Sequence, residues 1–336
     1  MVNVAINGLG RIGRNFLRAL LYDPRATQML TLKAINIGPA KMDLIPYFLQ
    51  HDTLMGPFRG MIRLENTTLI INDLRVALFA EKDPAQLPWQ KLNIDWVVEC
   101  SGHFTTGELA RKHIQAGAKK VLISAPAKGE DVTIVPGVNE QKYNPAKDGI
   151  VSLGSCTTNA MVPIVKILHD AFGIEQGYMT TAHAYTNSQV LLDVNDSDPR
   201  RSRAAALNLV PTTTGASEMV DVVLPELAGR IKGHAIRVPV PKVSLVDFVY
   251  RTRKSLTVDQ VHIAIANASQ KEMAGIVALT MEPLVSSDYN GCPFSVVVDG
   301  LLTQADGNMG KIFGWYDNEW GYSVRLKDFL MYATSR

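Results

Sequence analysis

Only three cysteines, Cys100, Cys156 and Cys292, occur in 336 residues, and no two of them form a CxxC pair or a metal-ligand spacing. A disulfide framework and a zinc site are thereby excluded as organising devices, so no metal is expected. Free thiols point to a reducing compartment. No apolar run approaches the ~18 residues that a membrane span needs, and Met1 leads straight into the strand-like Val2–Ile6 without a basic, then apolar, leader. The net charge is only +2, from 34 basic and 32 acidic residues, too small to argue for nucleic acid, so any anion site must be local. Internal repeats and low-complexity tracts are also missing. What remains is a soluble protein expected in the cytoplasm, with neither a nucleic-acid nor a membrane partner. Its 46% hydrophobic and 20% charged residues are ordinary globular composition, and its length suffices for two domain cores.

The N-terminus carries a strand–turn–helix signal. Val4-Ala5-Ile6-Asn7 is apolar, Gly8-Leu9-Gly10-Arg11-Ile12-Gly13 follows at once, and Arg14–Leu21 has helical spacing. In that context a GxGxxG is a dinucleotide-binding turn. Gly8 permits the tight turn, Gly10 lets backbone approach a pyrophosphate, and Gly13 lets helix and strand pack closely. The helix start then offers N–H groups to the phosphates. A second strand, Leu30–Asn36, ends in Asn36-Ile37-Gly38-Pro39, where NAD-binding folds usually carry an acid for the ribose 2′-hydroxyl. Ile37 lacks the charge that would repel a 2′-phosphate, and Lys33, Lys41 and Lys82 are nearby cations, so the cofactor is expected to be NAD or NADP. Trp96–Gly102 and Lys120–Pro126 predict further strands of a parallel sheet, with a helix over Gly107–Ala116 between them.

Ser155-Cys156-Thr157-Thr158-Asn159 sets one thiol at the start of a helical pattern, where positive potential favours the thiolate, the form that attacks carbonyl carbon. His183, in a strand-like Thr180–Thr186, is a candidate base for that sulfur. Cys100 and Cys292 have no base motif beside them, and a core thiol or a turn residue is the simpler account of each. Beyond the helix, the spacing predicts long strands over Tyr178–Tyr185, Arg237–Arg251, Gly275–Met281, Pro293–Leu301 and Gly310–Tyr316. The whole is therefore expected to be α/β: a Rossmann-type domain over 1–153, completed by a C-terminal helix over 319–336, and a second α+β domain on a largely antiparallel sheet over 154–318. Arg200-Arg201-Ser202-Arg203, the turn Thr212-Thr213-Thr214-Gly215-Ala216 before a helix, and Arg237 form polar clusters suited to anions. Beside a thiol, a histidine and a nucleotide fold, they suggest a phosphorylated substrate.

INGLGRIGR, WVVECSG, AGAKKVLISAPA, SCTTN, HAYTN, RRSRAAALNLVPTTTGA, RVPVPKVS and WYDNEWGYS run along essentially the whole chain, and in this order they resemble the phosphorylating glyceraldehyde-3-phosphate dehydrogenase family. The resemblance implies Cys156 as nucleophile and His183 as its activating base. It implies Ser155, Thr157, Arg201, Thr214 and Gly215 at the site of the attacking phosphate and reacting carbonyl, and Thr186 and Arg237 on the substrate phosphate. Arg11, Ile12 and Ser124 fall where the cofactor is held, Lys82 where the family often has an arginine, and Asn318 where the nicotinamide amide is oriented. Partners would be a small-molecule substrate and inorganic phosphate, in a homotetramer whose segment around 186–205 reaches a neighbouring subunit's cofactor.

Three departures stand out. Ile37 replaces the acidic ribose ligand, Val194-Asn195 stands where NAD-specific members carry Leu-Pro, and Leu153-Gly154 replaces the usual Asn-Ala before the cysteine. The first two, Ile37 and Asn195, both lean towards NADP. Alternatives within reach are an erythrose-4-phosphate dehydrogenase on the same scaffold and a catalytically silent nucleotide sensor. The intact Thr186, Arg201 and Thr214 argue against the first, and Cys156, His183 and Asn318 argue against the second.

Overall fold

The computed structural model describes all 336 residues, Met1–Arg336. They form two compact units: Met1–Ile134 with Glu140–Gly154 and Ser323–Arg336, and Val135–Asn139 with Ser155–Tyr322. No helix is long and apolar enough to cross a membrane.

The first unit runs β1 (Val2–Asn7), α1 (Arg11–Leu21), α2 (Pro24–Met29), β2 (Leu30–Asn36), α3 (Ile45–Gln50), β3 (Ile62–Glu65), β4 (Thr68–Ile71), β5 (Leu74–Phe79), β6 (Trp96–Glu99), α4 (Gly107–Gln115), β7 (Lys120–Ile123), β8 (Val132–Thr133) and β9 (Ile150–Ser152). Its nine strands lie in the order β3-β4-β5-β2-β1-β6-β7-β9-β8. Pairing is parallel from β5 to β8, and β3, β4 and β5 form an antiparallel edge. The central strands are near-continuous apolar runs because both faces of a parallel sheet are covered: Val4, Ala5, Ile6, Val97, Val98, Val121 and Leu122 are fully buried. Each of the strands β1, β2 and β6 ends in a polar residue, Asn7, Asn36 and Glu99, at the carboxyl edge.

The second unit comprises α5 (Cys156–Phe172), β10 (Ile174–Ala184), β11 (Val210–Thr212), α6 (Ala216–Val223), β12 (Ile231–Val238), β13 (Ser244–Thr252), α7 (Val258–Gln270), β14 (Val277–Thr280), β15 (Val296–Asp306) and β16 (Met309–Tyr316); the chain ends in α8 (Trp320–Thr334). The sheet order is β11-β12-β10-β13-β16-β15-β14. It is largely antiparallel, with parallel pairs only at β10/β12 and β14/β15. The single strand expected over Arg237–Arg251 is two. Pro239 and Pro241 have no N–H to give the ladder, so β12 stops at Val238, and Arg237 lies near the end of a strand rather than opening one. Helix α5 is apolar nearly all round, burying Met161, Val162, Ile164, Val165 and Leu168 in the core of this unit, as a helix covered on most sides must be. From Ser323 the last helix counts with the first unit, where Phe329 meets Trp96 and Tyr143 edge-on and the buried Lys327 pairs with Asp23.

Two glycines of the first turn are fixed by sterics. Gly8 has φ +94°, and a Cβ there would run into the backbone of Ser101; a Cβ on Gly13 would collide with the carbonyl oxygen of Gly8. Neither obstacle is a flexible side chain. Gly13→Ala is expected to cost about 1–3 kcal/mol as overpacking, lowering Tm by roughly 2–4 °C per kcal/mol for a unit of this size. Thermal melting measures it, and an unchanged Tm would show that the turn relaxes freely.

Candidate active site

Ser155 is the N-cap of α5. Its Oγ accepts from the Thr158 N–H at 3.0 Å, and its own N–H donates to Thr158 Oγ1 at 3.1 Å, a reciprocal capping box. Cys156 is therefore the first residue of a well-anchored helix, half-buried at its positive end. His183 comes from β10, where alternation puts Met179, Thr181 and His183 on one buried face. Its Nε2 lies 3.4 Å from Cys156 Sγ. Arg237 is the parallel register partner of His183 on β12, so the two side chains stand together, with Arg237 Nη1 2.7 Å from His183 Nδ1 and 3.0 Å from the Ala184 carbonyl oxygen. His183 Nδ1 is also 2.7 Å from that carbonyl.

Burial pushes the Cys156 thiol up; the Arg237 charge, the Thr157 hydroxyl and the first N–H groups of α5 pull it back. The helix-start effect anticipated for this thiol is thus opposed by desolvation, which disfavours any charge placed here. Burial, reinforced by the Arg237 cation, drives His183 down to about 3. The resting imidazole is neutral at physiological pH, as a proton acceptor must be.

Behind the pair sits a hydroxyl hub. Tyr316 OH lies 3.0 Å from Thr157 Oγ1 and 2.8 Å from Thr181 Oγ1, and its ring meets His183 edge-on at 6.0 Å. This ties the first turn of α5 to β10. Ser244, paired with Tyr316 across β13 and β16, accepts from the Ala184 N–H and donates to Asn318 Oδ1 at 3.1 Å. Asn318 is thereby locked with its Nδ2 as the remaining donor. Neither Ser244 nor Tyr316 stood out in the sequence; the only signal was a polar residue on the buried face of an otherwise apolar strand.

The candidate anion ligands are placed less uniformly. Arg201 donates from Nε to Thr212 Oγ1 at 2.8 Å and stands 3.4 Å from Asp198. It is near enough for its charge to work against the Arg237 cation, and two guanidinium groups in one neighbourhood favour an anion between them. Gly215 is the N-cap of α6, and Thr214 Oγ1 accepts from the Ala216 N–H at 3.2 Å. Thr186 bonds to Ser188 Oγ at 2.9 Å, just past the end of β10. Asn195 is exposed on the segment after β10, linked to none of these groups.

In the first unit, a cavity of about 600 Å³ opens at the carboxyl edge of the sheet, lined by Gly8, Gly10, Asn36, Ile37, Lys82 and Phe104 among others. This is where open α/β sheets bind dinucleotides. Arg11, Ile12, Gly13 and Ser124 do not line it. Arg11 turns its guanidinium to the buried Asp52 at 2.5 Å, leaving only its backbone for a phosphate, and the Ser124 hydroxyl bonds to the Cys100 thiol, which burial pushes up to about 12. Glu81, overlooked in the sequence, is the one carboxylate on the cavity wall, and it accepts from the Asp83 N–H at 3.0 Å. The floor is a polar chain. Trp89 Nε1 donates to His113 Nδ1 at 3.0 Å, His113 Nε2 reaches Glu99 at 3.1 Å, and Asn36 donates to Asn7 at 2.7 Å, which donates in turn to Glu99. No group of three or more His, Cys, Asp or Glu is arranged to hold a metal.

The cavity fits a dinucleotide on one further point. A Cβ built on Gly10 meets nothing within 4 Å, and the backbone there has φ −73°, which any residue adopts. Nothing in the fold requires glycine at this position; only a ligand pressed against the backbone does. Gly10→Ala is expected to leave Tm within about 1 °C while weakening dinucleotide binding tenfold or more, as for loss of close backbone approach to phosphate. Calorimetric titration with NAD and NADP beside a melting curve checks this; unchanged affinity for both would remove Gly10 from the site.

Residues 2–107 match the family described as "Glyceraldehyde 3-phosphate dehydrogenase, NAD binding domain", and residues 155–318 match "Glyceraldehyde 3-phosphate dehydrogenase, C-terminal domain". The chain is 46% identical over 336 residues to a glyceraldehyde-3-phosphate dehydrogenase of Geobacillus stearothermophilus, covering 100% of this chain and 99% of the relative. Glyceraldehyde-3-phosphate dehydrogenase 1 of Bacillus subtilis (strain 168) is 45% identical with the same coverage. Glyceraldehyde-3-phosphate dehydrogenase 2 of Streptomyces avermitilis is 45% identical over 333 residues, covering 99% and 98% of the two chains. With both of its units matched and its full length shared at this identity, the chain belongs to the glyceraldehyde-3-phosphate dehydrogenase family.

Proposed function

We propose that the protein catalyses the reversible, phosphorylating oxidation of glyceraldehyde 3-phosphate to 1,3-bisphosphoglycerate. The observation that carries this reading is the 3.4 Å contact between Cys156 Sγ and a neutral His183, with Arg237 beside it and Arg201 close by. A thiol paired with a base does acyl chemistry, and flanking guanidinium groups select phosphorylated reactants.

Cys156 Sγ adds to the aldehyde carbon, and the carbonyl oxygen takes up a proton to give a thiohemiacetal on the sulfur. His183, with Nδ1–H held by the Ala184 carbonyl, presents a bare Nε2 that accepts the hydroxyl proton as the C–H electron pair leaves, so that the carbon becomes a thioester. A nicotinamide dinucleotide, when bound, supplies the hydride acceptor. Gly8, Gly10 and the backbone at Arg11 and Ile12 would hold it, and Asn318, braced by Ser244, would orient its amide. Arg201, Thr214 and Gly215 seat inorganic phosphate, which attacks the thioester carbon; the C–S bond breaks, the acyl phosphate leaves, and Cys156 departs as thiolate. Thr186 and Arg237 grip the phosphate already on the substrate. Ser155 and Thr157 keep the helix start and the hydroxyl hub in place.

NADP is the cofactor we infer. Ile37 offers no charge to oppose a 2′-phosphate, and Lys82 supplies a cation on the same wall to set against the single carboxylate of Glu81. Asn195 adds a second departure from the NAD-specific pattern. A homotetramer is supported by the segment after β10, which exposes the four large apolar side chains Leu191, Leu192, Leu207 and Leu209, residues of the kind a subunit contact would cover. Three cysteines in the thiol form, none in a disulfide, suit the cytoplasm.

Cys156→Ser is expected to abolish dehydrogenase turnover; near-normal turnover would sink the assignment. His183→Asn should slow single-turnover acylation by about 10²–10⁴-fold, the usual cost of losing a general base, and an unchanged rate would reject its role. Initial rates with NAD and NADP, with and without inorganic phosphate, decide the rest. The expected result is a higher kcat/KM with NADP and a strict phosphate requirement. A strong NAD preference would reduce Ile37 and Asn195 to tolerated packing changes, and phosphate-independent turnover would point to hydrolysis of the thioester instead.

A further inference from the structure

His183 Nδ1 has two neighbours at 2.7 Å, and their demands are opposite. The Ala184 carbonyl oxygen only accepts, so it calls for a proton on Nδ1; the Arg237 guanidinium only donates, so it calls for a bare Nδ1. A neutral imidazole satisfies one or the other. Arg237 Nη1 also reaches the Ala184 carbonyl at 3.0 Å, so that oxygen keeps a donor even when Nδ1 is bare. With Arg237 in this position, the proton of the ring belongs on Nε2, facing Cys156 Sγ. That tautomer can donate to a thiolate. It has no lone pair on Nε2 with which to take a proton from a thiohemiacetal, so the base is disarmed.

We propose that Arg237 is a substrate-sensing positioning residue: it holds His183 in the Nε2–H tautomer until an anion draws the guanidinium away, whereupon Nδ1–H closes on Ala184 and Nε2 becomes the base. The anion is the phosphate of the aldehyde substrate, so this rests on the reading of Arg237 as a ligand of that phosphate. The proton inventory does not change, because the proton lost from Nε2 and the one gained at Nδ1 both exchange with water. Several features support the switch. The register that sets His183 against Arg237 leaves the guanidinium at the second-last residue of β12, beside the Pro239 break that ends the strand. Arg201 presses on it with like charge. The other charged or titratable groups facing the ring are Cys156 from α5 and Tyr316 from β16; β13 contributes only the Ser244 hydroxyl. None of these can substitute for Arg237 as a donor to Nδ1. An armed base would then exist only beside a phosphorylated aldehyde, and unphosphorylated aldehydes would be turned away at the proton-transfer step as well as by affinity.

The tautomer is read by ¹⁵N NMR of protein labelled at its seven histidines, with His183→Asn assigning the resonance. In the free protein His183 is expected to carry its proton on Nε2, and inorganic sulfate, an anion the enzyme cannot consume, is expected to move it to Nδ1. The same tautomer with and without sulfate overturns the proposal. Acylation supplies the second readout: the first-turnover burst of reduced cofactor with D-glyceraldehyde, which lacks phosphate. Sulfate should raise that burst rate by roughly 10²-fold or more, within the range expected for a general base. Arg237→Gln should show the Nδ1–H tautomer without sulfate and a burst indifferent to sulfate. A residue that merely grips phosphate would leave the glyceraldehyde burst unmoved by sulfate in the wild type, and that result also overturns the switch. Wild-type turnover of glyceraldehyde 3-phosphate is measured alongside. Normal turnover with an unmoved tautomer defeats the switch alone, whereas absent turnover defeats the proposed function.

Discussion

The parallel pairing of β10 with β12 is the constraint on which the reactive centre depends. A parallel pair brings residues of equal register onto one face, and here that register sets His183 beside Arg237. Antiparallel neighbours on the other side supply Ser244 and, one strand further, Tyr316. The helix that carries Cys156 lies over this face, and the Tyr316 hydroxyl joins them. A one-residue slip of β10 would turn His183, Thr181 and Met179 to the other side of the sheet together. The sulfur–imidazole distance is thus a property of strand register before it is a property of any side chain.

Electrostatically the centre is poised rather than satisfied. Desolvation works against the thiolate, the imidazolium and the guanidinium alike, and the charges that remain nearby are mostly positive. Such an arrangement has its missing component in the reactants, which bring phosphate dianions. Binding energy from groups remote from the reacting carbon is then used at the carbon itself, which is how an enzyme distinguishes a phosphorylated aldehyde from a smaller one that reacts in the same way.

Much of this was legible in the sequence, for identifiable reasons. Cys156 stood out because its capping residues are contiguous with it, and the dinucleotide turn because its glycines sit between a strand pattern and a helix pattern. The partnership of Cys156 with His183 follows from motif order. The break of Arg237–Arg251 into two strands was masked by apolar alternation running through Pro239 and Pro241. Ser244 and Tyr316 escaped notice because a hydroxyl on a buried strand face looks the same in sequence whether it holds a catalytic helix or fills a core. Glu81 lies far along the chain from Ile37, and only the β2/β5 pairing brings their strand ends to one cavity wall. The effect of burial on Cys156 was likewise hidden, since desolvation depends on neighbours distant in sequence, among them His183, Arg237 and Tyr316.

The chain beneath the cavity in the first unit has a direction. Trp89 donates to His113, His113 to Glu99, and from the other side Asn36 donates to Asn7 and Asn7 to Glu99, while the Ser101 N–H and hydroxyl complete the carboxylate. Both branches end on Glu99, which accepts from every side; its demand for donors leaves His113 Nδ1 to accept from Trp89 and Asn7 Oδ1 to accept from Asn36, so each amide and ring has one allowed orientation. The polarity with which the floor greets a ligand is therefore written by a carboxyl group with almost no exposed surface, and loss of that acceptor would reach the cavity as a reversal of its amide hydrogen bonding, with no change of shape.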